Sequence, residues 1–403
     1  MNITKAVILA AGEGNRMRPL TYTRPKVMLP IANKPILEHL MIEMKKAGVR
    51  EFVFIVGYHD DQIRNYFSDG GPWDVQIQYC DQRRQQGTAD ALKMAKGLFD
   101  ERFLVANGDV IINCQDIQLV MSHPGNVISA IELPGVAGLG VIESREGQVL
   151  KIHEKLDNPP SHLVNAGLYV LTPDIFDAIE KTEKSPRGEY DITDSIQIMI
   201  DGGNPMVYQE IGFWPFLDYP WDLLNVNERF LARMDPHRYV EIEDNATLKG
   251  AVSIGKGTVV RSGSYIIGPV IIGQNCDIGP NCFIRSTSAI GNNCHIGAAV
   301  EIENSIIMSG TKIPHLSYVG DSVIGENCNL GAGTKIANLI LDKGNIIVND
   351  VDTHRRKLGA IIGDNVQTGI NSSVNVGALV GNGAFVGPGA FAQGTISPGS
   401  KIF

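Results

Sequence analysis

Three things are missing from this chain. Its six cysteines form no C-x-x-C pair, no basic cluster is longer than Arg355-Arg356-Lys357, and no apolar run approaches the roughly 20 residues that span a bilayer. Each absence removes a class of function. Without paired cysteines there is no zinc or redox motif, and six reduced thiols are expected. With a net charge of −9 and no basic stripe, no nucleic-acid partner is expected. The opening Met1-Asn-Ile-Thr-Lys5 has no charged-then-apolar leader, so a cytoplasmic protein without a membrane partner is expected. Neither the phosphate loop G-x-x-x-x-G-K-[ST] nor the third glycine of G-x-G-x-x-G is found around Gly12 and Gly14.

What is present falls into two halves. A chain of 403 residues with 43% hydrophobic content can hold two separate cores. Ala6-Val-Ile-Leu9 has the composition of a buried parallel strand, which places Gly12 and Gly14 on its exit turn. Such a turn lets backbone N–H groups point inward around a polyphosphate, with Arg16 and Lys26 adding positive charge. Lys34 to Lys46 puts Ile36, Leu37, Leu40, Met41 and Met44 on one helical face, with Gly48 as its stop. Phe52 to Val56 and Leu104 to Ala106 read as further strands. The pattern predicts an α/β Rossmann-like layer, largely parallel, over 1–225, with ligands at the carboxyl ends of its strands and Asp109 at one of them.

A connecting helix is expected over 226–240, and beyond it a six-residue beat takes over. Ile254, Ile272, Ile278, Ile290, Ile296, Ile324, Leu330, Ile362, Val380 and Val386 each precede a glycine. A hexapeptide repeat predicts a parallel β-helix over 241–403. Cys276, Cys282, Cys294 and Cys328 take the small-residue slot that Thr258 and Ala384 also occupy, so the stack needs no metal. The phase slips between Ile296 and Ile324 and again between Leu330 and Ile362. Loops projecting around His315 and around residues 342–357 are the expectation.

The glycine turn resembles the signature of sugar-phosphate nucleotidylyltransferases, L-A-x-G-x-G-T-R-[ML] followed by P-K-x-[LM]-x-P. Here the second half is Pro25-Lys26-Val-Met28-Leu-Pro30, and Asn15 stands where threonine is usual. The resemblance implies nucleotide contacts from Ala11, Gly12 and Gly14, with Arg16 and Lys26 acting on the triphosphate. It assigns Asp109 to Mg²⁺. The segment Gln82-Arg-Arg-Gln85-Gln-Gly87-Thr88 resembles the family's base-reading Q-x-x-Q-x-G-T, and Gly140, Glu154, Lys155 and Asn165 match its sugar site. A second metal ligand is expected near the linker from Asp218, Asp222 or Asn227, with Asp222 favoured; the competing role for the aspartates is helix capping.

From His315 the chain reads His315-Leu-Ser-Tyr318 and then Asn329-Leu-Gly-Ala-Gly-Thr334. This resembles the acetyltransferase site of bacterial bifunctional N-acetylglucosamine-1-phosphate uridylyltransferases, and the repeats resemble the left-handed, typically trimeric hexapeptide acyltransferases. The resemblance implies His315 as the base, with Arg285, Tyr318, Asn329, Asn338 and Lys357 holding an amino-sugar phosphate. Glu303 stands where that pattern has a phosphate-contacting lysine, and Leu339 where it has tyrosine. The spacing looks closer to archaeal-type bifunctional sugar-1-phosphate nucleotidylyltransferase/acetyltransferases. The implied activity is synthesis of UDP-N-acetylglucosamine by a homotrimer using UTP, acetyl-CoA and Mg²⁺. Two alternatives are a glucose-1-phosphate thymidylyl- or uridylyltransferase whose β-helix only oligomerises or regulates, and a structural trimer that merely binds nucleotide.

Overall fold

Short apolar stretches covered on both faces build the first sheet. Lys5–Ala10 (β1), Glu51–Val56 (β2), Gln76–Asp81 (β3) and Phe103–Asn107 (β4) pair in parallel in the order β3-β2-β1-β4. Val7, Ile8, Phe54, Ile55 and Val105 are fully buried, as strands sandwiched between helical layers require. The computed structural model describes residues 3–136, 138–156, 158–237 and 241–403.

Asn126–Glu132 (β5), Gly140–Arg145 (β6), Gln148–Glu154 (β7), Leu163–Leu171 (β8) and Met206–Glu210 (β9) extend the sheet to β3-β2-β1-β4-β8-β5-β9-β7-β6. β8 lies antiparallel between β4 and β5, while β5 and β9 pair in parallel, so the largely parallel sheet expected from the sequence is interrupted at β8 and at the β6–β7 hairpin. The turn of that hairpin, Glu146 and Gly147, has positive φ at both residues, the geometry that matches strand twist. The helix Ile36–Ala47 buries Ile36, Leu37, Leu40, Met41 and Met44 and ends at Gly48 with φ 114°.

The chain divides into two compact units. One comprises Met1–Glu13, Arg24–Met28 and Pro35–Pro215; the other comprises Gly14–Thr23, Leu29–Lys34 and Phe216–Phe403. In the second, the connecting helix spans Asp222–Leu231, earlier than the expected 226–240. The chain leaves it through Pro236, which disfavours helix at the residue before it, and residues 238–240 lie outside the described residues.

The second unit is the left-handed parallel β-helix, with sheets of nine, eight and eight strands among the described residues. Ile254, Ile272 and Ile290 stack at intervals of 18 residues, three hexapeptides to a coil. The cysteines of the repeat are buried in this stack, with the Cys276, Cys294 and Cys328 thiols donating to the carbonyls of Gly291, Met308 and Gly363. All six cysteines are free, and burial pushes the Cys328 thiol up to about 12.

The first phase slip is not a projecting loop. Ile290, Ile307 and Ile324 stack at 17-residue intervals, and His315 ends the strand Lys312–His315, paired in the coil with His295–Ala298. One residue is missing from one corner of two successive coils, at Glu303-Asn-Ser305 and at Gly320-Asp-Ser322. At the two shortened corners Asn304 and Asp321 take left-handed backbone conformations. The second slip is a true insertion after Ile336, carrying the small hairpin Ile347–Val348 with Val351–Asp352. Among the described residues no helix is long and apolar enough to cross a membrane.

Candidate active sites

In the α/β unit, Lys26 follows the glycine turn and Asp109 follows β4, and their side chains meet with Nζ 2.6 Å from the carboxylate. The lysine side chain is 14% exposed and the aspartate 36%, so the pair is open on the aspartate side. Gly108, between β4 and Asp109, donates its N–H to Leu9 O at 2.8 Å; a Cβ there would lie 2.8 Å from the same carbonyl. The glycine thus lets two strand exits approach and sets where Asp109 begins. Asn107, beside it, has a buried Oδ1 without a partner among the described residues. The sequence marked Asn107 only as a strand end.

Gln85 is exposed, and its amide nitrogen lies over Gly57 beside Ala11. Gln82 behaves differently. It is buried, and its Nε2 donates to Gly87 O at 3.0 Å and to Asp90 at 2.8 Å. Its donor atom braces the loop that carries Gly87 and Asp90. Gly87 has φ 113°, and a Cβ there would sit 2.3 Å from Tyr190 O. Thr88 Oγ1 accepts from Ile192 N–H at 2.9 Å, another tie within the fold.

The expected sugar residues share one corner of the sheet. Gly140 pairs with Glu154 across the hairpin, and Val164, next to Asn165, pairs with Val141. Burial raises the Glu154 carboxyl above its ordinary range, against the pull of Thr193 and Arg187. Lys155 is exposed, in a left-handed conformation. Asn165 donates to Tyr169 OH at 2.8 Å and accepts from Gly167 N–H at 3.0 Å, which fixes the β8 bulge.

Gly14 and Arg16 belong to the second unit. Gly14 is left-handed at φ 67°, and the Arg16 guanidinium pairs with Asp218. Arg16 and Arg18 also line a cavity of about 340 Å³ with Tyr22, Tyr219 and Trp221. Asp222 turns Oδ2 to the amides of Asp218 and Tyr219, at 2.9 and 2.8 Å. That carboxylate oxygen anchors the turn that leads into the helix. Asn227 is fully buried, accepting from Ala32 N–H and donating to Thr287 O, so it leaves the set of candidate metal ligands.

The altered corner of the β-helix gathers four of the five expected acceptor-binding residues. Arg285 Nη1 lies 3.0 Å from Glu303 Oε2, Lys357 Nζ lies 3.1 Å from Oε1, and Tyr318 OH donates to Oε2 at 3.0 Å. Asn338 donates to Tyr318 OH at 3.0 Å and to Asp321 at 2.7 Å. Burial and the Glu303 carboxylate push the Tyr318 phenol up to about 12. Asn329 stands apart, exposed and in register with Lys312. The His315 ring is exposed and makes no hydrogen bond or ion pair among the described residues, while its backbone carbonyl accepts from Gly333 N–H at 3.0 Å.

Two residues of this corner escaped the sequence. Asp321 receives Asn304 and Asn338, and Lys335 reaches the Leu316 carbonyl directly after His315. The signal was available in the 17-residue offset that aligns Asp321 with Asn304.

The nucleotidyl transferase family profile matches residues 5–230, and that of the GMPPB C-terminal domain matches 266–382. A protein of Methanococcus maripaludis named bifunctional protein GlmU is 41% identical over 374 residues, covering 91% of this chain and 89% of its own. A bifunctional sugar-1-phosphate nucleotidylyltransferase/acetyltransferase of Sulfurisphaera tokodaii is 38% identical, covering 92% of each. The chain belongs to the bifunctional sugar-1-phosphate nucleotidylyltransferase/acetyltransferase family. A solved UDP-glucose pyrophosphorylase complexed with UDP-glucose is 24% identical at TM-score 0.52, covering 58% of this chain and all of its own, which shows the fold. As a member of the bifunctional family the chain is an enzyme, with a nucleotidyltransferase domain and an acetyltransferase domain.

Proposed function

We propose that the chain makes UDP-N-acetylglucosamine in two steps. Acetyl transfer from acetyl-CoA to glucosamine-1-phosphate comes first; the N-acetylglucosamine-1-phosphate formed then attacks UTP and releases pyrophosphate. The observation that carries the reading is that one chain holds the Lys26–Asp109 pair at the strand exits and, in the β-helix, both the unengaged His315 imidazole and a cation-bearing corner.

In the first step the sugar amine attacks the thioester carbonyl carbon, its proton passes to His315, and the CoA thiolate leaves and is protonated. An imidazole with no competing partner suits that task. Tyr318, Asn338, Arg285 and Lys357 orient the acceptor. In the second step an oxygen of the sugar phosphate attacks the α-phosphorus, and catalysis is alignment and neutralisation of charge on the departing pyrophosphate. Arg16 and Lys26 supply positive charge. Gly12 supports this assignment: a Cβ there would meet nothing within 4 Å and its φ is not positive, so neither packing nor backbone demands glycine. Close approach of a ligand does.

Gln85 and the loop braced by Gln82 and Thr88 face the base, and Gly140, Glu154, Lys155 and Asn165 face the sugar. Mg²⁺ fits Asp109, a half-open carboxylate at a strand exit, because this ion takes one or two carboxylates together with phosphate oxygens. When bound it neutralises phosphate charge. Among the described residues no three His, Cys, Asp or Glu form an all-protein cage. A chain using UTP and acetyl-CoA works in the cytoplasm. A homotrimer would cover Leu316, Ile370 and Phe391, large apolar side chains exposed on the coils.

The test is to supply UTP or dTTP with several sugar 1-phosphates, and acetyl-CoA with glucosamine-1-phosphate, following pyrophosphate and free CoA thiol. Both products are expected. Pyrophosphate without any CoA release would leave the β-helix as an oligomerising or regulatory module and overturn the acetyl-transfer half.

A further inference from the structure

Three consecutive coils are altered at the same corner, and the alteration puts a carboxylate between two cations. The first shortened corner carries Glu303, the second carries Asp321, and the insertion that follows Ile336 carries Asn338 and Lys357. Glu303 is 15% exposed, and both of its oxygens are engaged: Oε1 by Lys357, Oε2 by Arg285 and Tyr318. Asp321 is almost fully buried, held by Asn304 and Asn338 and facing Arg355 at 3.8 Å. Glu301 adds a second acid on Arg285 at 3.2 Å.

The cations that a phosphate would need are therefore neutralised before any ligand arrives. Burial opposes ionisation of Glu303, yet Lys357, Tyr318 and Arg285 hold its carboxyl below the ordinary range, so it is charged at neutral pH.

We propose that Glu303 is an internal anion seated in the phosphate subsite of the acetyl-acceptor site, and that it sets how strongly the acceptor's phosphate is held. The identity of the acceptor rests on the function proposed above; the exchange of one anion for another does not. A phosphate entering between Arg285 and Lys357 meets a like charge and must displace the carboxylate from its hydrogen bonds. The native corner therefore binds phosphate weakly and depends on the rest of the amino sugar for affinity.

The test compares the full-length chain with Glu303→Gln, Glu303→Asp and the double variant Glu303→Gln/Arg285→Ala. Inorganic phosphate binding is read by calorimetry, and acetyl transfer by release of CoA thiol. Glu303→Gln keeps the shape and a partner for Tyr318, and is expected to bind phosphate about two- to fivefold tighter, the scale of one partly exposed ion pair. The gain disappears in the double variant, and Glu303→Asp, which keeps the charge, stays near the native value. The KM for glucosamine-1-phosphate falls by the same factor while kcat and the KM for acetyl-CoA do not move. Unchanged or weaker phosphate binding in Glu303→Gln overturns the proposal, as does a gain that survives loss of Arg285. A gain in phosphate affinity without acetyl transfer to any amino-sugar phosphate would leave the anion subsite standing and remove the acetyl-transfer reading. Acetyl transfer without the gain does the reverse.

Discussion

The two units bring opposite charges together in different ways. In the α/β unit one lysine meets one aspartate at the strand exits, and the pair stays half-open. In the β-helix, Arg285, Glu303, Tyr318, Asn338, Asp321 and Lys357 close into a network in which all four carboxylate oxygens have protein partners. The cause is architectural. Loops leave an α/β sheet singly, so the positions at its strand exits do not repeat from one element to the next. A β-helix corner repeats once per coil, so equivalent positions stack and their side chains accumulate partners. A site of the first kind awaits its ligand, whereas one of the second kind must exchange internal partners for it.

Single substitutions that separate the two chemistries would break the comparison most sharply. Lys26→Ala is expected to lower pyrophosphate release by at least about 10²-fold while sparing acetyl transfer. His315→Ala is expected to lower CoA release by about 10²- to 10⁴-fold and to spare pyrophosphate release. Both activities are measured on the same preparation, and loss of both in either variant would mean that the units do not act independently.

Stability comes next. Ile296 is fully buried between Ile278 and Ile313 of adjacent coils, so Ile296→Ala should cost about 2–5 kcal/mol in urea unfolding, and acetyl transfer should fail at lower urea than pyrophosphate release. Equal sensitivity of the two activities would show one cooperative unit.

The glycines of the α/β unit give a smaller and more selective contrast. Gly87→Ala places a Cβ against the Tyr190 backbone at positive φ and should cost about 1–3 kcal/mol by thermal or urea unfolding. Gly12→Ala meets open space, so stability should hold while affinity for UTP falls. A stability loss in Gly12→Ala would make that glycine a packing residue.

The smallest effect is on pH dependence, and its sign differs between the units. Glu303 is held below its ordinary value of 4.5, so its pairing stabilises the fold above that pH and is lost as the pH falls through the folded value. Glu154 is raised by burial, so its contribution is present in the acid range and lost as pH rises through the folded value. Urea midpoints across the acid range should fall less steeply for Glu303→Gln below 4.5, and Glu154→Gln should remove a loss that the native chain suffers above it. Identical slopes in both variants would erase the contrast.

Much of this was legible in the chain. The apolar spacing from Ile36 to Met44 marked a helix and its buried face, and the hexapeptide beat marked the coil and the cysteine slot, because both follow from local geometry. The motifs brought Lys26 to Asp109 and gathered Arg285, Tyr318, Asn338 and Lys357. The hidden parts depend on contacts between distant residues. No motif shows that Gln82 braces its own loop through Gly87 and Asp90. None shows that Asp222 holds the amides of Asp218 and Tyr219. The slip near His315 looks like a loop, because a missing corner residue and an inserted loop disturb the repeat alike.

By itself the sequence determined the family and the two architectures, since periodicity and short motifs are properties of neighbouring residues. Tertiary structure decided which of those side chains remain open to a ligand. That depends on what each polar atom meets across the fold, and partners joined by the closing of a coil or by an insertion are not fixed by neighbouring residues. Glu303 is the clearest instance: a departure from pattern in the chain, and in the folded coil the carboxylate that two cations and a phenol already hold.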